Sequence, residues 1–314
     1  MTPVAATAVT LIAGNAHPAL ARALASALGV PLTAAEVGAF ADGETRVRVA
    51  QDVRGAAVVL VQPTCPPVNE HLMVLALLAD AVRAAGAARV TAVVPYFGYA
   101  RQERRGGPGD PRSAQVAARL LHAAGIDQLI TLDLHAPALE SALPMPATLL
   151  PADEAFLPRI RAWDAGELVV VSPDAGGLKR AQRYALALGA PLAVVAKERP
   201  GADAAVAVQV LGEVAGRVGL LVDDMASTGR TLASAAEALR RAGAAEVRAV
   251  FTHAVMAPGA PAVLQAARFA AVLTSDTVPS APAAWLEIVP VAPLLARAVN
   301  YLHGSAEPPC PERS

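Results

Sequence analysis

The sequence repeats itself at half its own length. LASALGVPL, beginning at Leu24, returns as YALALGAPL at Tyr184, an offset of 160. AAGAARVTAVV, beginning at Ala84, returns as RAGAAEVRAVF at Arg241, an offset of 157. In a chain of 314 residues both offsets are close to half, and the order of the matches is kept. Alanine-rich helices resemble one another by chance, so one match would carry little. Two ordered matches at nearly one offset describe a duplicated unit whose copies differ by small loop insertions. Such a chain is expected to form two similar domains, the number that about 150 residues per domain also suggests.

Within each copy, short apolar runs alternate with longer helical patterns. VTLIAG, AAVVLVQ and RVTAVVPYF read as strands in the first half; LVVVSPD, PLAVVAK, VGLLVDD and VRAVFTH read as strands in the second. Continuous Val, Leu and Ile runs mark strands covered on both faces, as in a parallel sheet. HPALARALASALG and TLASAAEALRRAGA carry apolar residues at helical spacing and stop at a glycine. The expected fold class is therefore α/β: two tandem domains with mainly parallel sheets, related by internal duplication. The domains are expected at 1–150 and 151–302, joined by the Pro-rich stretch Leu143–Pro151, with a disordered tail at 303–314.

Composition narrows the function classes. Hydrophobic residues make up 54% of the chain, which excludes a wholly disordered protein. The formal net charge of −1 removes any global electrostatic case for nucleic acid or an anionic membrane as partner. The uncharged stretch Ala249–Ala267 is broken by Pro258, Gly259 and Pro261, so no membrane span is expected. Cys65 and Cys310 are too few for a disulfide framework, and the start of the chain lacks the basic stretch of a secretory signal. A cytoplasmic protein is expected.

In open parallel sheets, ligands bind beyond the carboxyl ends of the strands. The loop that stands out there is VGLLVDDMASTGRTLASAAEAL, where a buried strand ends in two carboxylates, a Ser/Thr/Gly loop follows and a helix begins. The backbone N–H groups of Ser227 to Thr231 would face a phosphate at the helix N-terminus. Hydroxyls of Ser227, Thr228 and Thr231 add donors, and Gly229 allows close approach. Asp223 and Asp224 are acceptors suited to a sugar diol or to a cation. Phosphate at one end and vicinal hydroxyls at the other describe a ribose 5-phosphate. A helix cap beside solvated strand-end aspartates is the bland alternative. The first-half counterpart, VVLVQPTCPPVNEHL, has neither the Asp pair nor a glycine, so only the second domain is expected to bind the sugar.

DDMASTGRT resembles the phosphoribosyl-diphosphate motif of type I phosphoribosyltransferases. AGNAHPALARALA, FADGETRV, DVRG, QPTCPPVNEHLM, PYFGYARQERR, DLHA, VVSPDAGGLKRA and AKERP occur in that order. As a set they resemble the ribose-phosphate pyrophosphokinase family from about Leu11 to about Tyr301. The resemblance implies Mg²⁺-dependent transfer of the β,γ-diphosphoryl group of ATP onto the anomeric hydroxyl of ribose 5-phosphate. It implies Lys197 and Arg199 as catalytic residues, with Arg199 also contacting the sugar phosphate or the transferred group. Phe40, Asp42, Gly43, Glu44, Arg101 and Gln102 are implied on the ATP side, and His135 and Asp174 at a Mg²⁺–nucleotide site, with Asp133 behind them. The ribose 5-phosphate set is Arg199, Asp223, Asp224, Ser227, Thr228, Gly229, Arg230 and Thr231. The family's FADGE loop often comes from a neighbouring subunit, which implies a homo-oligomer between dimer and hexamer. Many bacterial members carry Asp where this chain has Ser227 and Gly where it has Arg230, and the lid after Arg105 is short and Gly/Pro-rich here. Two further readings stay open: a non-catalytic homologue that regulates a true synthetase, and a phosphoribosyltransferase that glycosylates a base.

Overall fold

The computed structural model describes residues 9–164, 166–198 and 207–304. They divide into two compact units. The first unit contains, in chain order, β1 (Val9–Ala13), α1 (Pro18–Leu28), β2 (Leu32–Ala34), β3 (Glu36–Ala39), β4 (Thr45–Arg48), β5 (Ala57–Val61), α2 (Val68–Ala84), β6 (Arg89–Val93), α3 (Ser113–Ala123), β7 (Gln128–Leu132) and β8 (Ala147–Leu150). The second contains α4 (Asp153–Arg161), β9 (Leu168–Ser172), α5 (Leu178–Leu188), β10 (Leu192–Glu198), β11 (Ala207–Leu211), β12 (Val218–Met225), α6 (Arg230–Arg241), β13 (Glu246–His253), α7 (Ala260–Ala266), β14 (Val272–Ser275) and β15 (Glu287–Val289).

The duplication is visible in the strand order. The first sheet runs β2-β1-β5-β6-β7-β8 and the second β11-β10-β9-β12-β13-β14-β15. Every pair in the first sheet is parallel. In the second, only the added edge strand β11 pairs antiparallel, with β10. Without β11 the two orders are one order. The repeated segments fall at matching places: α1 stops at Gly29 with φ 67°, α5 at Gly189 with φ 63°, and each leads into a strand of its sheet. Both glycines adopt the left-handed turn that lets the chain reverse without a Cβ penalty.

The apolar runs form strands because both faces are covered. All five residues of β5 and of β7 are buried. Val74, Leu75, Leu78 and Val82 of α2 join Val58, Leu60 and Val90 in one core cluster. In the second unit Leu232, Ala235, Ala236 and Leu239 of α6 join Val169, Leu221 and Phe251. At about 25 cal/mol per Å² of apolar surface removed from water, these helix–sheet faces are what hold each unit together. The hairpin β3–β4 stands apart as its own two-stranded sheet. Among the described residues no helix is long and apolar enough to cross a membrane.

Three boundaries differ from the sequence expectation. The Pro-rich stretch 143–151 is not a free linker, because its residues Ala147–Leu150 are β8, the edge strand of the first sheet. Pro144 and Pro146 precede it, where a missing N–H interrupts no ladder. The helix α8 (Ala292–Leu302) does not belong with the second unit, which ends at Pro290, but with the first. There it packs on α1, the place that α4 takes on α5 in the second unit. Periodicity shows that a helix has an apolar face but not which sheet it covers. Finally, His303 is ordered and buried, close to Thr91 Oγ1 at 3.5 Å, while Arg89 donates to the carbonyl of Leu302. The rest of the expected tail, 305–314, lies outside the described residues.

Candidate functional site

The β12–α6 connection turns an apolar strand into a polar loop within a few residues. Val222 is fully buried, Asp223 and Asp224 follow, and Ser227 and Thr228 emerge toward solvent. The pairing of β12 with β13 runs through Met225↔His253 and fixes where the aspartates end. Two more backbone bonds hold the loop: the N–H of Ala226 donates to His253 and that of Met256 to Ala226. A third, from Ala257 to the carbonyl of Ser227, ties the Ser/Thr stretch to the segment that enters α7.

Gly229 is required at its position twice over. Its φ is +74°, and a Cβ there would lie 2.9 Å from Leu264 Cγ. No side chain caps the first turn of α6; Thr228 Oγ1 only approaches the N–H of Arg230 at 3.5 Å. The helix therefore presents N–H donors and the positive end of its dipole beside the hydroxyls of Ser227, Thr228 and Thr231. Arg230 is exposed, so it crowds nothing in the loop.

The two carboxylates are buried next to each other. Asp224 is 3% exposed and Asp223 has 15% of its side chain exposed. Arg180, on the first turn of α5, brings Nη1 to 3.6 Å from Asp223 Oδ1 and 3.5 Å from Asp224 Oδ1. Burial, reinforced by the neighbouring Asp224 charge, pushes the Asp223 carboxyl up to about 8; Arg180 opposes that rise. Asp174 follows β9 on a tight turn, where its Oδ1 accepts from the N–H of Gly177 and the Ser172 hydroxyl donates to its carbonyl. Asp174, Asp223, Asp224, Ser227, Thr228, Gly229, Arg230 and Thr231 thus all sit at the carboxyl edge of the second sheet. Lys197 lies near the end of β10, paired with Val208 of β11, and Arg199 lies outside the described residues.

The first unit shows what the same position becomes without the aspartates. Through the matching pairs Val61↔Val93 and Val222↔Val250, Gln62 stands where Asp223 stands in the second sheet. Its side chain is fully buried and fills the space. Gln62 Oε1 accepts from the N–H of Ala16, and Nε2 donates to Asn15 Oδ1. A Cβ on Gly14 would come within 2.2 Å of that Oε1.

The other expected residues of the first unit occupy two places. The β3–β4 turn holds Phe40, Asp42, Gly43 and Glu44. Asp42 Oδ1 accepts from the N–H of Glu44, Gly43 has φ +92°, and Phe40 is 53% exposed, with Arg46 at 6.0 Å from its ring centre. Gly43 and Glu44 line a cavity of about 770 Å³ together with Asn15, Asn69 and Met73. Arg101 and Gln102 are exposed, and Gln102 Oε1 accepts from Ser113 Oγ at the start of α3. Tyr99, with φ +67°, sets up that turn and donates to Asn69, which ties the Arg101–Gln102 loop to the foot of α2. His135 is exposed just beyond β7, after Asp133 with φ +35°. Among the described residues no group of three or more His, Cys, Asp or Glu converges on one point.

Arg180 is the site residue that motif reading passed over. Its only sequence signal was its place in VVSPDAGGLKRA, where an arginine on a helix is usually a solvated charge.

Comparison with known proteins agrees with this geometry. Residues 9–125 match the N-terminal domain of ribose phosphate pyrophosphokinase, and residues 144–266 match the phosphoribosyl transferase domain. The chain is 40% identical over 297 residues to the ribose-phosphate pyrophosphokinase of Caldanaerobacter subterraneus subsp. tengcongensis, across 93% of this chain and 94% of that one. It is 41% identical over 293 residues to the enzyme of the same name from Ralstonia nicotianae, across 90% and 91%. The crystal structure of phosphoribosylpyrophosphate synthetase from Mycobacterium smegmatis matches with a TM-score of 0.87 at 35% identity, covering 94% of this chain and 99% of that chain. Two phosphoribosyltransferase-type units in one order, with the aspartate pair kept in the second alone, make this chain a member of the ribose-phosphate pyrophosphokinase family.

Proposed function

We propose that the protein transfers the diphosphoryl group of ATP to the anomeric hydroxyl of ribose 5-phosphate, giving phosphoribosyl diphosphate and AMP. The observation that carries this reading is the single loop that presents a buried carboxylate pair and, a few residues on, an uncapped helix N-terminus. A vicinal diol donates to Asp223 and Asp224, while the 5-phosphate accepts from the loop N–H groups and from the Ser227, Thr228 and Thr231 hydroxyls. The sugar is thereby held at both ends with its anomeric carbon between them. In the transfer, the O1–Pβ bond forms, the bond from Pβ to the α,β-bridging oxygen breaks, and the proton of the anomeric hydroxyl is released to solvent. AMP leaves with the bridging oxygen.

Positioning and charge neutralisation carry most of such a reaction. Lys197 and Arg199 supply cations to the transferred group, with Arg199 reaching the sugar phosphate. Phe40, Asp42, Gly43, Glu44, Arg101 and Gln102 receive the nucleotide; Phe40 has the exposed ring face that stacking needs. Mg²⁺ suits the Asp174 carboxylate, while His135 as a ligand rests on the family resemblance. Asp174 turns one oxygen to Gly177 and keeps the other, His135 is solvent-facing, and no full protein cage exists among the described residues. That is the pattern for an ion held by one or two side chains plus substrate phosphates and water. His135 in the first unit and Asp174 in the second are each assigned as Mg²⁺ ligands, and the ion would offset charge on the ATP phosphates. A homo-oligomer in the cytoplasm, supplying precursors for nucleotides, histidine and tryptophan, completes the reading.

Phosphorus NMR of the protein with ATP, Mg²⁺ and ribose 5-phosphate tests it. AMP and phosphoribosyl diphosphate signals should grow together. ATP and sugar that stay unchanged over a range of phosphate concentrations would sink the synthetase reading, and pyrophosphate release that needs an added base would replace it with a phosphoribosyltransferase.

A further inference from the structure

Two buried carboxylates side by side repel each other and lose hydration, so keeping them adjacent is favoured by a shared proton and by a counter-charge. In the second unit that charge is Arg180. Only 10% of its side chain is exposed, and a single nitrogen, Nη1, lies within 3.6 Å of one oxygen from each aspartate. On its other side it borders the β9 turn. Arg180 follows the turn Asp174–Gly177, and a Cβ on Gly177 would sit 3.7 Å from Nη1, 3.8 Å from Asp174 Oδ1 and 2.9 Å from Ser172 Oγ. The guanidinium therefore lies where the β9 turn meets the end of β12. It is attached to neither loop but to α5, whose Ala181, Tyr184 and Ala185 are buried in the unit.

We propose that Arg180 is the positioning residue of the sugar site, holding Asp223 and Asp224 side by side as a paired acceptor for the vicinal hydroxyls of ribose 5-phosphate. The inference rests on the sugar-site reading above and deepens it to a statement about specificity. Each carboxylate has its Oδ1 within 3.6 Å of Arg180 Nη1, so the guanidinium draws the two acceptors toward one point. A sugar lacking one hydroxyl leaves one acceptor of that pair buried and poorly matched, which is how a polar site rejects a deoxy analogue far more strongly than an apolar pocket could. Arginine suits this position because its charge persists when buried, where a lysine ammonium gives up its proton more readily.

The test uses the full-length protein and the variants Arg180→Gln and Arg180→Lys. It measures KM for ribose 5-phosphate, KM for ATP, and the preference for ribose 5-phosphate over 2-deoxyribose 5-phosphate in kcat/KM. Arg180→Gln should raise KM for ribose 5-phosphate tenfold or more, leave KM for ATP within about twofold, and reduce the preference by at least tenfold, since loss of one partner of a buried charge pair is costly. Arg180→Lys should fall between that variant and the parent on both measures. A folded Arg180→Gln protein with the parent's sugar KM and preference would overturn the proposal, as would equal rises in both KM values. Should Arg180→Gln not fold, Arg180→Lys decides: a sugar KM raised at least threefold supports the assignment, and parental values overturn it. Asp223→Asn in parallel separates the two levels. If it leaves the sugar KM unchanged, the sugar site itself is misplaced; if it raises that KM while Arg180→Gln does not, only the role of Arg180 falls.

Discussion

Replacing Gly229 by alanine adds one methyl group to the chain, and the structure says where it goes. At φ +74° an L-residue costs about 1–2 kcal/mol, because its Cβ crowds the following carbonyl. The new methyl also meets Leu264 Cγ at 2.9 Å, Leu264 Cδ2 at 3.2 Å and the carbonyl of Ala260 at 3.4 Å. Overpacking of that kind costs about 1–3 kcal/mol. Together the variant should lose about 2–5 kcal/mol of stability, or very roughly 4–20 °C in Tm for a unit of this size. Thermal unfolding by circular dichroism reads the loss, and steady-state kinetics read the displacement of the loop, with KM for ribose 5-phosphate rising more than KM for ATP. The cause can be separated with Leu264→Ala. Alone it should cost about 2–5 kcal/mol by opening a cavity. Combined with Gly229→Ala it should cost about 1–3 kcal/mol less than the sum, because the methyl then has room. Sums that agree within about 0.5 kcal/mol would show that the two residues do not touch in the way described. Parental stability and sugar KM in Gly229→Ala would refute the loop geometry altogether.

Other perturbations probe other parts of the chain. Lys197→Ala should lower kcat about a hundredfold to a thousandfold, as loss of a charge-stabilising group does, with Tm unchanged; near-full activity would remove Lys197 from the mechanism. Asp223→Asn should weaken ribose 5-phosphate binding more than ATP binding, yet stabilise the free protein near neutral pH. The folded-state carboxyl is raised to about 8 by burial and by Asp224, so the parent loses stability as pH rises from about 4 toward 8, and the gain of the variant should vanish near pH 4. Urea titrations at pH 4 and pH 8 check the sign. Ending the chain after Pro290 should unfold the first unit while sparing the second, because Leu294, Leu295 and Val299 of α8 are buried in the first unit and burying three such side chains contributes roughly 5–9 kcal/mol. Limited proteolysis with fragment mapping would show which unit is cut.

Most of the sheet architecture was readable because strands covered on both faces need nearly continuous apolar runs, as in AVVLV and LVVV. The loop DDMASTGRT was readable because it concentrates several polar requirements in a few adjacent residues. What escaped was whatever depends on distant partners. β8 follows proline-rich sequence that reads as a connector, and only its pairing with β7 makes it a strand. The partner sheet of α8 is set by tertiary packing rather than by its own periodicity. Arg180 looks like any helix-borne arginine until the carboxylates of β12 are placed beside it. Gln62 gave no signal of its own, and its part in filling the first unit emerges only from the matched register of two sheets.

The return of α8 to the first unit has a consequence for biosynthesis. Residues 9–150 leave the ribosome carrying an α1 face that stays uncovered until some 140 further residues have been made. At 5–20 residues per second that interval is on the order of ten seconds, long compared with helix formation or collapse. The second unit brings its own covering helix, α4, ahead of its first strand and can close as it emerges. The half of the duplication that is synthesised first is therefore the half that finishes last, and the waiting face of α1 is where a chaperone or a second nascent chain would meet it.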